Sequence, residues 1–220
     1  MPSMFHHDSL PDTLDKILQC KPQDSIQRLM DALLPLADGI SCRRPRTLGS
    51  KMGEIYLLTD GALYLQRGSD DLILGVVRAP HVLGFAELLT PVEMSTRVKF
   101  SPESRVSVVS REKVRTTLGQ QPALWEDVAR ILAFHLHFSV WRDLHLLSDS
   151  SYDAIRGKLF ELEKQDEAFR SEVSISHYIT HSTRLSRSTV LRILKALNEG
   201  GYIETHRGRL LNIVFLPQRY

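Results

Sequence analysis

Cysteine is scarce in this chain. Cys20 and Cys42 are its only two, and they form neither a Cys-x-x-Cys pair nor a metal-ligand spacing. A disulfide framework, a zinc-thiolate site and any cluster needing four thiolates are thereby excluded, and both residues read as free thiols. Long apolar runs are absent too. No stretch of eighteen uncharged apolar residues occurs, so no segment reads as a transmembrane helix. Met1 to Asp8 lack the basic segment and apolar run of a secretory leader, and a cytoplasmic location with no membrane partner is the expectation. Catalytic spacing is missing as well. Asp60, Asp70, Asp71 and the nine scattered histidines show no nucleophile–base or metal-ligand pattern. An enzyme, a bound metal and a cofactor are therefore not expected.

With 42% hydrophobic and 25% charged residues, the 220-residue chain has the composition of a globular protein long enough for two modest domains. Its formal net charge is only +2, but the charge is unevenly spread. Residues 171–220 hold seven Lys/Arg (184, 187, 192, 195, 207, 209 and 219) against three acids (172, 199 and 204), so this stretch carries +4 and the rest −2. A cationic module on a slightly acidic body suits binding to a phosphate backbone, where neutralised phosphates release counterions.

The strongest local pattern lies inside that module. Leu185 to Ile203 reads as a helix with one apolar and one basic face, stopped by Gly200 and Gly201. Ser186 is placed to cap it, with Leu185 and Val190 at hydrophobic-staple spacing. Val190, Ile193, Leu194 and Leu197 recur at helical spacing and predict the buried face, leaving Arg187, Ser188, Leu191, Arg192 and Lys195 on or near the other side. Tyr202 to Phe215 then reads as two short strands about a Gly-containing turn, with basic residues at its tip. Helix plus basic hairpin predicts a winged helix-turn-helix that binds double-stranded DNA.

The rest of the chain has its own texture. Residues near 12–38 read as two short helices interrupted by Lys21-Pro22. From about 40 to 109, brief runs of Val, Ile, Leu and Tyr alternate with turn signals such as Thr59-Asp60-Gly61 and Arg67-Gly68-Ser69-Asp70, which predicts a small antiparallel roll or barrel. Ser110 is placed to cap a short helix, and Pro122 opens a long helical segment through about Leu147. That segment is apolar around nearly its whole circumference, so one side is expected to cover the β region and another to meet a second subunit. Ser148 to Ser151 break the pattern, and Tyr152 to Arg170 resumes as an amphipathic helix.

β roll, long central helix and winged helix, in that order, resemble the superfamily of the cyclic-AMP receptor protein and the fumarate-nitrate-reduction regulator. Ser186 to Leu197 is similar to the family's Ser-Arg-x-Thr-Val-x-Arg-x-Leu-x-x-Leu recognition pattern, Ile55 to Leu63 to its strand, Gly turn, strand segment, and Val82 to Leu88 to its Gly-Glu-Leu segment. The resemblance implies an α+β fold: a cyclic-nucleotide-binding-like sensor domain at 1–121, a dimerisation helix at 122–149 and a winged helix-turn-helix at 150–220. It also implies a homodimeric transcription regulator, with RNA polymerase as a further candidate partner. By position, base readers fall on Arg187, Ser188, Leu191 and Arg192, and backbone contacts on Ser186 and Thr189. Arg187 and Arg192 could each donate two hydrogen bonds to guanine, worth roughly 1–3 kcal/mol in discrimination. Lys195, Arg207 and Arg209 are expected to add phosphate affinity.

Two departures bear on the motif. Tyr178 stands where the family has an acidic residue before Ile179, and Arg184 replaces the turn glycine. A positive φ there would cost Arg184 about 1 kcal/mol or more, unless the turn differs or the side chain is kept for a phosphate. Cyclic-nucleotide binding is not expected, because Phe85-Ala86 separates Gly84 from Glu87 and the family's Arg-Ser or Arg-Thr order is inverted at Ser95-Thr96-Arg97. His135 and His137 point to different helix faces and cannot both ligate one haem iron; a satisfied interface histidine is the expectation. Arg43 and Arg44 beside Cys42 permit a depressed thiol pKa, which keeps a redox-gated or small-molecule sensor as one alternative. A protein-interaction module without base readout is another.

Overall fold

A computed structural model describes residues 10–40, 46–47, 54–92, 96–101, 103–146 and 150–217. Cys42, Arg43, Arg44 and Ser95 lie outside them. In chain order the elements begin with α1 (Leu10–Gln19), α2 (Gln23–Leu33), β1 (Asp38–Gly39), β2 (Arg46–Thr47), β3 (Glu54–Asp60), β4 (Ala62–Arg67), β5 (Ile73–Arg78) and β6 (His81–Leu83). There follow α3 (Phe85–Leu89), β7 (Thr96–Phe100), β8 (Arg105–Ser110), α4 (Arg111–Gln120), α5 (Leu124–Leu146), α6 (Ser151–Glu163), α7 (Glu167–Glu172), α8 (Ile175–Ser182), α9 (Arg187–Glu199), β9 (Ile203–His206) and β10 (Arg209–Ile213). The described chain divides into two compact units, residues 20–136 and residues 10–19 with 137–217.

In the first unit two four-stranded antiparallel sheets form, ordered β1-β8-β3-β6 and β2-β7-β4-β5, the β roll that the strand pattern predicts. Ile55 to Leu58 are all buried although a strand alternates its faces. The reason is that both faces of β3 are covered. Tyr56 and Leu58 join Leu63, Leu83, Val98, Phe100, Val106 and Val108 between the sheets. Ile55 and Leu57 join Val82 and Val109 against α2 (Ile26, Leu29), α3 (Phe85, Leu88), α4 (Val114, Leu118) and the start of α5 (Leu124, Val128, Ile131). A carboxylate ties two of these helices: Asp127 on α5 accepts from Arg28 on α2 at 3.0 Å (Nε) and 2.6 Å (Nη2), which holds Asp127 below the ordinary carboxylate range.

Local chemistry sets the ends and turns. The Ser110 hydroxyl accepts from the Lys113 amide and starts α4, as its position suggests. Gly84 begins α3 at φ +106, where a Cβ would stand 2.6 Å from the Glu54 carbonyl oxygen, so this position requires glycine.

The second unit departs from the sequence reading at one place. The segment 152–170, expected as one helix, is two: α6 stops at Glu163, and Asp166 accepts from the Phe169 amide to start α7. That cap is local and strong, and it outweighs the continuous amphipathic spacing. The N-terminal helix α1 belongs with this unit, where it packs on α6 and Asp15 pairs with Lys164 at 2.8 Å. Residues 10–19 thus group with residues 137–217, while residues 20–121 lie in the first unit.

Candidate nucleic-acid interface

α9 is built as its sequence predicts. Ser186 is its N-cap, accepting from the Thr189 amide at 3.1 Å, and Val190, Ile193 and Leu197 are buried while Leu194 is half-buried. Arg187, Ser188, Leu191, Arg192 and Lys195 are exposed on the opposite side. Leu191 is 45% exposed and leaves its side chain open to an apolar contact such as a thymine methyl. The hydroxyls of Ser188 and Thr189 each lie 2.9 Å from Ser186 Oγ, so the three form one cluster at the start of the helix. Thr189 is half-buried there. Lys195 faces Glu199 at 3.6 Å, one turn on; such an exposed pair is weak and yields readily to a phosphate.

The helix before it, α8, reaches α9 through a turn that needs no left-handed residue. Thr183 Oγ1 donates to the Ile179 carbonyl at 2.8 Å and accepts from the Leu185 amide at 3.3 Å, so one hydroxyl closes α8 and starts the connection. Among the described residues the non-glycines with positive φ are Asp71 and Arg207, not Arg184. The turn therefore differs from the family's glycine turn, one of the outcomes left open by the sequence, and the Arg184 side chain is exposed at it.

The wing follows. β9 and β10 pair antiparallel with His206 opposite Arg209, leaving Arg207 (φ +50) and Gly208 (φ +76) as a two-residue turn. Both positive angles are what such a hairpin demands, because they match the twist of the strands. The turn is anchored from inside the unit, with the Ile175 amide at the start of α8 donating to the Gly208 carbonyl at 2.9 Å. Thr205 Oγ1 donates to Asn198 Oδ1 at 2.9 Å and fastens β9 to α9. Arg207 and Arg209 are exposed.

Beneath these elements lies a polar group of residues that sequence reasoning missed. Tyr178, only 1% exposed, donates its hydroxyl to Glu161 Oε1 at 2.8 Å, and Lys158 Nζ meets Glu161 Oε2 at 2.6 Å with both side chains 3% exposed. The tyrosine that replaces the family's acidic residue therefore points inward, onto an acid supplied by α6. A Lys and a Glu three apart on a helix read the same in sequence whether solvated or buried. Only the unusual Tyr178 signalled the difference.

In the first unit, Arg97 on β7 lies at the hairpin between β4 and β5, donating to the Gly68 carbonyl and pairing with Asp71 at 3.1 Å. His135 meets His81 Nε2 to Nε2 at 2.7 Å, and His137 is exposed. Burial pushes His135 down to about 4 and His81 well below the ordinary imidazole value, with His135 and Lys21 adding to the latter. Both rings are neutral at pH 7. Cys20 is an exposed free thiol.

Comparison with known proteins agrees with this geometry. The winged helix-turn-helix DNA-binding family matches residues 151–218. The inhibitor of hydrogen peroxide resistance of Escherichia coli is 31% identical over 167 residues, covering 76% of this chain and 80% of that protein. The chain belongs to its family. The Salmonella typhimurium inhibitor of hydrogen peroxide resistance is 32% identical over 166 residues, covering 75% and 79%. Solved structures give the fold of the family. The c-di-GMP-responsive global regulator CLP of Xanthomonas campestris superposes with a TM-score of 0.64 at 15% identity, covering 86% of this chain and 98% of that one. A CooA mutant from Carboxydothermus hydrogenoformans gives 0.60 at 13% identity, covering 80% and 82%. A Crp/Fnr-family transcriptional regulator from Eubacterium rectale gives 0.59 at 12% identity, covering 80% and 85%. The fold is shared with these regulators.

Proposed function

We propose that this protein is a homodimeric regulator that binds a near-palindromic operator, with α9 of each subunit in successive major grooves about 34–36 Å apart. The observation that carries this reading is the outward face of α9, where Arg187, Ser188, Leu191 and Arg192 are all exposed on a helix capped by Ser186 and braced by the wing. In this reading Arg187 and Arg192 read guanines and Leu191 meets a thymine methyl. Arg184, Ser186, Thr189, Lys195, Arg207 and Arg209 hold the phosphate backbone. Residues 150–217 form the DNA-binding domain, and α5 is the dimerisation helix. Leu136 (62% exposed), Val140 (50%) and Leu144 (65%) recur every fourth residue along it, a stripe that supports an isologous contact. The names of the relatives point to genes of peroxide resistance as targets, with RNA polymerase as a partner at the promoter and the cytoplasm as the place of action.

The β roll serves in this reading as a sensor domain that takes no cyclic nucleotide. Arg97, the cation nearest in sequence to the family's phosphate ligand, is engaged by Gly68 and Asp71, and apolar side chains from both sheets fill the space between them. Footprinting of the purified protein on a selected operator tests the proposal. Two protected half-sites one helical turn apart support it; a single protected site speaks against the dimer.

A further inference from the structure

The exposed surface of α8 carries a pair of imidazoles that the DNA contacts proposed above do not include. His177 and His181 stand four apart, which places them one above the other on one helix face. Their rings stack, with centroids 3.8 Å apart and planes 18° from parallel, and both residues are exposed. One contact decides the chemistry of the pair: His181 Nδ1 lies 2.9 Å from the His177 carbonyl oxygen. A carbonyl oxygen only accepts, so Nδ1 carries the proton. The neutral His181 ring then holds its lone pair on Nε2, away from the backbone. A ring nitrogen donating to a backbone carbonyl while the other stays open is the arrangement that orients metal-bound histidines.

We propose that His177 and His181 form a two-imidazole chelate for a divalent transition metal, with nickel and copper as its strongest occupants. Two nitrogens bound to one ion at about 2.0–2.1 Å lie roughly 3 Å apart, a separation open to rings with centroids 3.8 Å apart once they tilt so that their lone pairs converge. Among the described residues no group of three or more His, Cys, Asp or Glu is placed to hold a metal. The site is accordingly an open one, whose remaining positions are filled by water or an external donor, and not a closed structural centre.

The test is titration of the full chain with nickel chloride, paired with Cu(II) electron paramagnetic resonance, for wild type, His177→Ala, His181→Ala and the control His137→Ala. Either α8 variant weakens one binding event by about a hundredfold, as loss of one arm of a bidentate ligand does. The copper spectrum changes from two coupled nitrogens to one, and His137→Ala behaves as wild type. Because both rings are exposed, thermal melts of the variants match wild type and loss of folding does not mimic loss of the site. Unchanged nickel affinity and copper spectrum in His181→Ala overturn the proposal.

Discussion

Tyr178 donates its phenolic hydrogen to Glu161 across 2.8 Å in the interior of the winged-helix unit, joining α8 to α6. The second oxygen of the same carboxylate holds Lys158 at 2.6 Å. The helix that precedes α9 is thus positioned by a buried charge pair as well as by apolar packing. Tyr178→Phe keeps the ring and removes one hydrogen bond to a charged acceptor, with an expected cost of about 1.5–3 kcal/mol. Glu161→Gln strips Lys158 of its anion while both remain buried, and should cost about 3–5 kcal/mol. Urea unfolding of the full chain ranks the two. A Glu161→Gln protein as stable as Tyr178→Phe would contradict the pairing.

The buried histidine pair predicts a pH dependence. The unfolded chain binds protons on both rings near pH 6.5, whereas folded His135 resists them until about pH 4 and burial holds His81 well below its ordinary value. The stabilisation is complete above about pH 6.5 and declines as the pH falls toward 4, by roughly 3 kcal/mol for His135 alone. Carboxylates held down by arginines, such as Asp127, lose their contribution below that window. Melting temperatures of wild type and His135→Gln between pH 4 and 7 check this. The variant should show the flatter curve.

Arg207 occupies a left-handed position that glycine adopts more easily. Arg207→Gly should stabilise the wing by up to about 1 kcal/mol while removing one phosphate contact. The logarithmic salt dependence of DNA binding should then fall by about one. Melting curves and binding isotherms at several salt concentrations separate the two effects.

The exposed stripe on α5 gives a prediction about assembly. Leu136, Val140 and Leu144 make up its apolar surface, and a charge at the first or last of them should split the proposed dimer. Leu136→Glu and Leu144→Glu are expected to sediment as monomers and to bind a full operator at least about tenfold more weakly, through loss of the second half-site.

Much of this architecture is legible in the sequence because its signals are local. Ser110 and Ser186 cap helices where their spacing places them, and the apolar run Ile55 to Leu58 announces a strand covered on both sides. The surface residues of α9 follow from helical periodicity once its buried residues are known. What the sequence left unread depends on tertiary partners. The Asp166 cap interrupts a segment with unbroken amphipathic spacing, and no glycine or proline marks the place. The positive φ that a glycine-type turn would impose on Arg184 is instead at Arg207, because the Thr183 hydroxyl shapes one turn and strand twist dictates the other. Glu161 and Lys158 resemble a surface pair until α8 is packed over them.

Base readout is the centre of this account, and selection from a random-sequence DNA pool at about 150 mM salt tests it most directly. Wild type should retain a near-palindrome whose half-sites lie one helical turn apart. Arg187→Ala or Arg192→Ala should relax preference at one position per half-site by roughly 1–3 kcal/mol, and Arg209→Ala should weaken all sequences alike. Retention of DNA by the wild type with no enriched motif would contradict the assignment of α9 as a reader of bases.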